Sequence, residues 1–383
     1  MTDFNIIRQF NFPTTIRFGA GAVKELPGHL LANGLSRPLL VTDLMVSGLD
    51  FFKDIKESLA AKAISVQVFS DIHKNPVKSD VLKGGEAYHQ TDRDCIIGIG
   101  GGAAMDVARA IVLRINHHRD LFDYDDLIGG DQYVTEEVPY FITVPTTSGT
   151  GSEVGRSAII SEDDTHRKRI LFAPKLMAKI VFADPLLTME LPPFVTAATG
   201  MDALTHNMEA FISKNFHPLA GGIGLEGIYL INQSIADAVN RPGLESRSKM
   251  MIASLMGAVA FQKGLGVVHS LAHPLSSLLD THHGLANAIN LPYGMRFNAP
   301  GMETEFKRMA LAMELAATTG EAVVNHLFEL NQRVGLPVKL GDIGVTTDHI
   351  ETLSDLALAD FCHPNNPKPV TRNDFKQLYT AAL

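Results

Sequence analysis

The sequence predicts an α/β N-terminal domain built on a parallel sheet, followed by an all-α C-terminal domain. Three observations carry this. Short apolar runs alternate with amphipathic stretches over roughly the first 185 residues. Strand character then stops, after the punctuation of Asp184-Pro185 and Leu191-Pro192-Pro193. From there on, apolar residues recur with a helical period. The two domains are assigned to residues 1–187 and 188–383.

Candidate strands in chain order are Pro38–Thr42, Ile64–Phe69, Cys95–Gly100, Tyr140–Val144 and Lys179–Ala183. Each is a continuous apolar run of about five residues, the pattern of parallel strands covered on both faces. Gly48–Lys62 and Lys78–Thr91 read as amphipathic helices between them. Strand–helix–strand repetition at this spacing implies an open, mostly parallel sheet. In the second half, helical periodicity dominates Thr196–Ser213, Gly222–Asn240, Arg247–Lys263, Gly266–Leu279, Phe306–Thr318 and Glu321–Val334. Met251–Phe261 is apolar almost all round and is expected to be a buried central helix.

Composition removes several function classes. A chain of 383 residues can bury two domain cores, and 45% hydrophobic with 20% charged residues is globular. Thirty-three basic against 42 acidic residues give a net charge of −9 without a Lys/Arg run, so neither nucleic acid nor a membrane surface is an expected partner. Cys95 and Cys362 are too few for a disulfide framework. The opening MTDFNIIRQF holds Asp3 and no continuous apolar core, so it does not read as a signal peptide. The uncharged stretch Met250–Gln262 is too short to span a bilayer. A cytoplasmic protein is expected. One oddity is histidine, with 15 in the chain and four of them between positions 269 and 283.

Two turns of the first domain carry chemistry. Gly98-Ile99-Gly100-Gly101-Gly102-Ala103 leaves a strand and enters a helix, where glycines let the backbone approach a pyrophosphate and free N–H groups attract its charge. Taken alone, such a turn equally suits a tight connection with no ligand. The second turn, Pro145-Thr146-Thr147-Ser148-Gly149-Thr150-Gly151-Ser152-Glu153, also follows a strand and is rich in hydroxyls and backbone donors. Two such turns at the carboxyl ends of parallel strands converge on one crevice, where open α/β sheets bind dinucleotides. Asp43, ending the run PLLVT, can accept bonds from the ribose hydroxyls of NAD and would repel a 2′-phosphate; it also suits a helix N-cap.

The second domain gathers metal-ligating types. Asp202 and His206 are four apart, so a helix puts both on one face, and His269 and His273 repeat that spacing. Thr281-His282-His283-Gly284 places two more histidines at a turn. One carboxylate and several imidazoles on apolar helices suit a divalent transition metal. Spacing leaves open which histidines ligate.

The motifs together resemble the iron-containing (group III) alcohol dehydrogenases over essentially the whole chain. They are GGGAAMD at 100–106, PTTSGTGSE at 145–153, ADPLLT at 183–188, GMDALTHNMEAF at 200–211, and GLGVVHSLAHPL with THHGLANAINLPY within 264–293. The resemblance implies a Rossmann-like dinucleotide-binding domain and a helical metal-binding domain, in the dehydroquinate synthase-like architecture. It implies that Asp202, His206, His269 and His283 hold the metal, Fe2+ or alternatively Zn2+ or Ni2+, in the cleft between the domains. His273 matches a family histidine near the nicotinamide that is not a ligand, while His282 falls where relatives often carry another residue. Asp43, Asn75, Gly101, Gly102, Thr146, Thr147, Thr150 and Lys168 fall on positions that contact NAD(H). A small alcohol or aldehyde is the implied substrate, and a homodimer or larger homo-oligomer the implied assembly.

The reaction implied is hydride transfer between an alcohol carbon and NAD, with the metal acting as Lewis acid and His273 relaying the proton. Pro274 removes one helical hydrogen bond and is expected to kink the helix that carries His269 and His273. Two departures from the family pattern stand out: Ala103 replaces a common serine, and Arg109 replaces a common lysine. The residues also admit three other readings. The altered glycine loop suits oxidation of the terminal hydroxyl of a sugar acid, of 3-deoxy-octulosonate type, with oxygen as acceptor. The architecture is shared with lyases of dehydroquinate synthase type. A structural metal site is the third, although such sites are commonly closed and built on thiolates.

Overall fold

The computed structural model describes residue 12, residues 14–165 and residues 167–383. These form two compact units: residues 14–147 with 152–189, and residues 148–151 with 190–383.

The first unit contains eight strands: β1 (Thr15–Phe18), β2 (Pro38–Val41), β3 (Gln67–Phe69), β4 (Cys95–Gly100), β5 (Tyr140–Pro145), β6 (Ser157–Ser161), β7 (Lys168–Phe172) and β8 (Ile180–Ala183). Its α-helices are α1 (Leu26–Ala32), α2 (Leu44–Ser47), α3 (Asp50–Ala60), α4 (Lys78–Gln90) and α5 (Gly102–Asn116). Six strands make one parallel sheet in the order β1-β8-β5-β4-β2-β3. Alternation along the strands fills both faces. Leu39, Val41, Ile96 and Phe141 pack with Val107 and Ile111 of α5, whereas Leu40, Ile97, Ile99 and Ile142 pack with Phe52, Ile55 and Leu59 of α3. This two-sided burial explains the uninterrupted apolar runs. From β2 the chain first moves outward to β3, then returns to the opposite side of β2 as β4. The strand order therefore reverses between β2 and β4, the point where open α/β sheets bind their ligands.

Two features of this unit were not foreseen. The edge strand β1 pairs with β8 in register Thr15↔Ile180 to Phe18↔Ala183, yet three of its four residues are exposed, so backbone pairing rather than apolar pattern defines it. The short strands β6 and β7 form a separate antiparallel hairpin. Buried Arg109 of α5 donates to the Ser157 carbonyl (2.7 Å) and to Ser152 Oγ (2.9 Å), and Asp106 accepts from Ile159 N (3.1 Å). Arg109 thus ties α5 to this hairpin.

The second unit is helical: α6 (Pro193–Ile212), α7 (Pro218–Asn240), α8 (Leu244–Ala260), α9 (Val267–Leu279), α10 (His283–Asn298), α11 (Glu303–Ala312), α12 (Gly320–Arg333), α13 (Ile350–Leu358) and α14 (Arg372–Ala382). The expected central segment Met251–Phe261 is mostly buried, but α6 is more enclosed, with every residue from Gly200 to Ile212 buried. Helix α10 escaped the pattern reading because Asn287, Asn290 and Asn298 are buried with its apolar residues, leaving no polar stripe. Helix α11 stops well before the expected Thr318; Glu314, just beyond it, takes a left-handed φ of 55°. Helices α13 and α14 were not foreseen either. Helix α9 continues through Pro274 to Leu279. Among the described residues, no single helix is long and apolar enough to cross a membrane.

Glycines set the closest approaches to α6. A Cβ on Gly227 of α7 would lie 2.0 Å from Asn207 Oδ1, and one on Gly257 of α8 would lie 3.0 Å from His206 Cβ. One on Gly284, in the first turn of α10, would lie 2.3 Å from the Ala198 carbonyl oxygen. On an exposed helix Gly→Ala gains up to about 1 kcal/mol. Gly284→Ala is instead expected to destabilise the protein by about 1–3 kcal/mol, the usual cost of overpacking, seen as a lower Tm. A raised Tm would contradict this packing.

Candidate metal centre

Helix α6 presents Asp202, His206 and Glu209 at i, i+4 and i+7, three positions of one face. Helix α9 brings His269 and α10 brings His283 to the same place. Asp202, His206 and His269 are 2%, 5% and 1% exposed, so their groups are removed from water. The Nε2 atoms of His206, His269 and His283 lie 3.9, 3.9 and 3.5 Å from the same oxygen, Oδ1 of Asp202. Donor atoms of Asp202, His269 and His283 all fall within 4.8 Å of one another. The ring of His206 stacks on that of His269 at 4.7 Å between centroids.

These separations are too long or too marginal for hydrogen bonds. They match donors that share an ion, because ligands about 2.1 Å from a tetrahedral centre stand about 3.4 Å apart. The supporting bonds agree. His269 Nδ1 is held by Glu209 Oε2 at 2.6 Å, while Glu209 Oε1 accepts from Val268 N at 2.7 Å. The Nδ1 side of His269 is thereby committed, and Nε2 is the nitrogen turned to Asp202, as expected of a metal-ligating imidazole with a carboxylate behind it. Asn287, one turn beyond His283, donates from Nδ2 to Asp202 Oδ1 at 2.7 Å and lies 3.1 Å from His283 Nε2.

Electrostatics point the same way. Burial alone would raise the Asp202 carboxyl, but His206, His283, His269 and the Asn287 bond outweigh it and hold the group at about 2. Burial, only partly offset by Asp202, takes His206 down to about 4, leaving a neutral imidazole as a ligand must be. For His269 burial also disfavours charge, yet the Glu209 hydrogen bond and charge prevail and raise it. Two buried carboxylates, Asp202 and Glu209, beside these imidazoles favour a cation, and a divalent metal fits this nitrogen-and-oxygen set.

His273, one turn after His269, is stacked on His283 with centroids 5.3 Å apart and is bonded through Nδ1 to Asp360 at 2.7 Å. His282 immediately precedes α10, with its ring 6.3 Å from that of Phe194.

In the first unit, the ends of β2, β4 and β5 come together. A Cβ on Gly100, whose φ is +151°, would lie 3.7 Å from Asp43 Oδ2, and one on Gly101 would lie 3.3 Å from Thr147 Oγ1. Thr146 N donates to the Gly100 carbonyl at 2.9 Å. Gly102 opens α5. Asp43 does cap α2, its Oδ1 accepting from Val46 N at 2.8 Å, which leaves Oδ2 on the glycine side. Asn75 is exposed in the loop between β3 and α4, and Lys168 opens β7. Thr150 lies in the segment 148–151 of the helical unit. Ala103 stands half-buried in the first turn of α5.

Three supporting residues were not singled out from sequence. Glu209 and Asn287 had a usable signal, the helical spacing from His206 and His283. Asp360 had none, standing 87 residues from His273 in the chain.

The helical unit carries a buried carboxylate ringed by imidazoles, a donor set suited to a divalent metal, and the α/β unit carries a glycine turn at the switch point of a parallel sheet, where dinucleotides bind. Residues 13–185 match the family described as iron-containing alcohol dehydrogenase, and residues 196–383 match the C-terminal part of the Fe-containing alcohol dehydrogenase family. The chain is 37% identical to 4-hydroxybutyrate dehydrogenase of Cupriavidus necator, covering 97% of this chain and 98% of that protein. It is 30% identical to NAD-dependent methanol dehydrogenase of Bacillus methanolicus, covering 98% and 99%. The crystal structure of a 1,3-propanediol oxidoreductase superposes with a TM-score of 0.94 at 30% identity, covering 98% of this chain and all of that one. The chain belongs to the iron-containing alcohol dehydrogenase family, and its reaction class is the interconversion of alcohols with aldehydes or ketones. These relatives favour hydride transfer over the sugar-acid oxidase and lyase readings.

Replacing Glu209 by Gln removes the charge behind His269 while keeping its shape. It is expected to weaken divalent-metal binding about 10–100-fold, read by metal titration of the stripped protein. Unchanged affinity would show that Glu209 does not support a ligand.

Proposed function

We propose that the chain transfers hydride reversibly between a short-chain primary alcohol and NAD, at one divalent metal held by Asp202, His206, His269 and His283. The observation that carries this is the convergence of three imidazole nitrogens on Asp202 Oδ1 at 3.5–3.9 Å. The family name supports Fe2+, and Zn2+ or Ni2+ suits the same donors. When bound, the metal lowers the pKa of an alcohol oxygen or polarises a carbonyl. Asp202 supplies the buried negative charge, and Glu209 and Asn287 keep the ligand set in place. His273 hands the hydroxyl proton to solvent. The turns at Gly101–Gly102 and Thr146–Thr147, with Asn75, Thr150 and Lys168, hold the dinucleotide, and Asp43 selects NAD over NADP.

The named relatives act on 4-hydroxybutyrate, methanol and 1,3-propanediol, which supports a short primary alcohol, and one of them is NAD-dependent by name. We place the protein in the cytoplasm as a homo-oligomer; both cysteines are free and buried.

The test is metal-loaded protein against a panel of short alcohols, followed by the absorbance of NADH. Oxygen uptake and peroxide release without NAD would contradict the proposal. His269→Ala is expected to abolish both metal retention and activity, and persistence of both would refute the ligand set. Asp43→Ala is expected to raise kcat/KM with NADP relative to NAD; an unchanged ratio would remove Asp43 from the cofactor site.

A further inference from the structure

The segment after α13 closes on α9 through one carboxylate. Asp360 Oδ2 is 2.7 Å from His273 Nδ1. Its other oxygen, Oδ1, accepts from Ser270 Oγ at 2.6 Å and from Cys362 N at 2.9 Å. Ser270 Oγ in turn accepts from His363 N at 2.8 Å. The carboxylate is therefore pinned by two donors on one oxygen, and its second oxygen has a fixed direction.

His273 is the group it points at. The imidazole lies between two rings, His283 at 5.3 Å and Phe361 at 5.4 Å between centroids. Its side chain is 19% exposed against 8% for Asp360, so the pair has a buried end and an open end. Nδ1 is at the buried end. An imidazole bonded to a carboxylate through Nδ1 carries its hydrogen there, and Nε2 is left as the acceptor. His269, one turn earlier, is held in the same sense by Glu209. The two histidines of α9 thus share one device, a buried carboxylate behind Nδ1.

We infer that Asp360 is a positioning residue for the reaction: it fixes the ring orientation and tautomer of His273, so that Nε2 faces the open end of the site. Ser270 and the Cys362 amide act through Asp360 by holding its Oδ1. This rests on the reading of His273 as the proton-handling group.

An alternative use of the same atoms is a second cation site, because donor atoms of His273, Asp360 and Cys362 lie within 4.8 Å of one another. The hydrogen bonds speak against it, since both oxygens of Asp360 already have partners in His273, Ser270 and the Cys362 amide. The Cys362 thiol is also held protonated, pushed well above its ordinary pKa by burial and by the Asp360 charge.

The test is a double-mutant cycle on metal-loaded protein at saturating NAD. Asp360→Asn can turn its amide to donate to Nδ1, which inverts the tautomer and moves the acceptor to the wrong end. It is expected to lower kcat by about 10²-fold or more with little change in KM, the share carried by a positioned acid–base group. Bound metal stays at the parent level. On a His273→Ala background the same substitution is expected to cost nothing further. Ser270→Ala, a milder change, is expected to lower kcat about tenfold in the parent and not at all in His273→Ala; this keeps the test decisive if Asp360→Asn does not fold. Equal losses in both backgrounds would mean a merely structural role and overturn the inference, as would loss of bound metal. Full activity of His273→Ala would instead overturn the underlying assignment of His273.

Discussion

The site depends on one buried charge. Asp202 sits in the stretch Gly200–Ile212 of α6, every residue of which is buried, at 2% exposure, with its carboxyl held ionised by the imidazoles around it. A carboxylate taken out of water costs several kcal/mol unless it is paired and hydrogen-bonded. Three imidazoles and the Asn287 amide gather on one of its oxygens, and they come from α6, α9 and α10. The Asp202 carboxylate is thus the point about which these helices are arranged.

That convergence needs backbones closer than ordinary side chains permit. Gly257 and Gly227 let α8 and α7 close on α6 around His206 and Asn207, and Gly284 lets the first turn of α10 reach the Ala198 carbonyl. The residue before Gly284 is His283. Packing and chemistry therefore share the same turn, and the sequence THHG serves both. Glu209 lies on the face of α6 that carries Asp202 and His206, and with one oxygen it orients His269 while the other takes the Val268 N–H at the start of α9.

How much of this was legible follows from the range of each interaction. Asp202/His206 and His269/His273 announced themselves by helical spacing, and the uninterrupted strands announced a sheet buried on both faces. Spacing could not choose among the histidines, and only the resemblance did so. Glu209 was within reach of the same logic, standing three residues after His206. Asp360 was not, because nothing local links it to α9. Strand β1 and the β6–β7 hairpin were missed for a similar reason, since backbone pairing with distant residues defines them. Helix α10 hid because its asparagines are buried along with its apolar residues. Arg109, which the resemblance marked only as a replacement for a lysine, holds the hairpin to α5 through bonds to residues 43 and 48 positions away.

An open metal centre built from nitrogen and oxygen donors alone is tested most directly by X-ray absorption at the bound metal. One metal per chain is expected, surrounded by imidazole nitrogen and carboxylate oxygen at about 2.0–2.2 Å and no sulfur. A sulfur scatterer at about 2.3 Å would place the metal at Cys362 instead and contradict the assignment to Asp202, His206, His269 and His283.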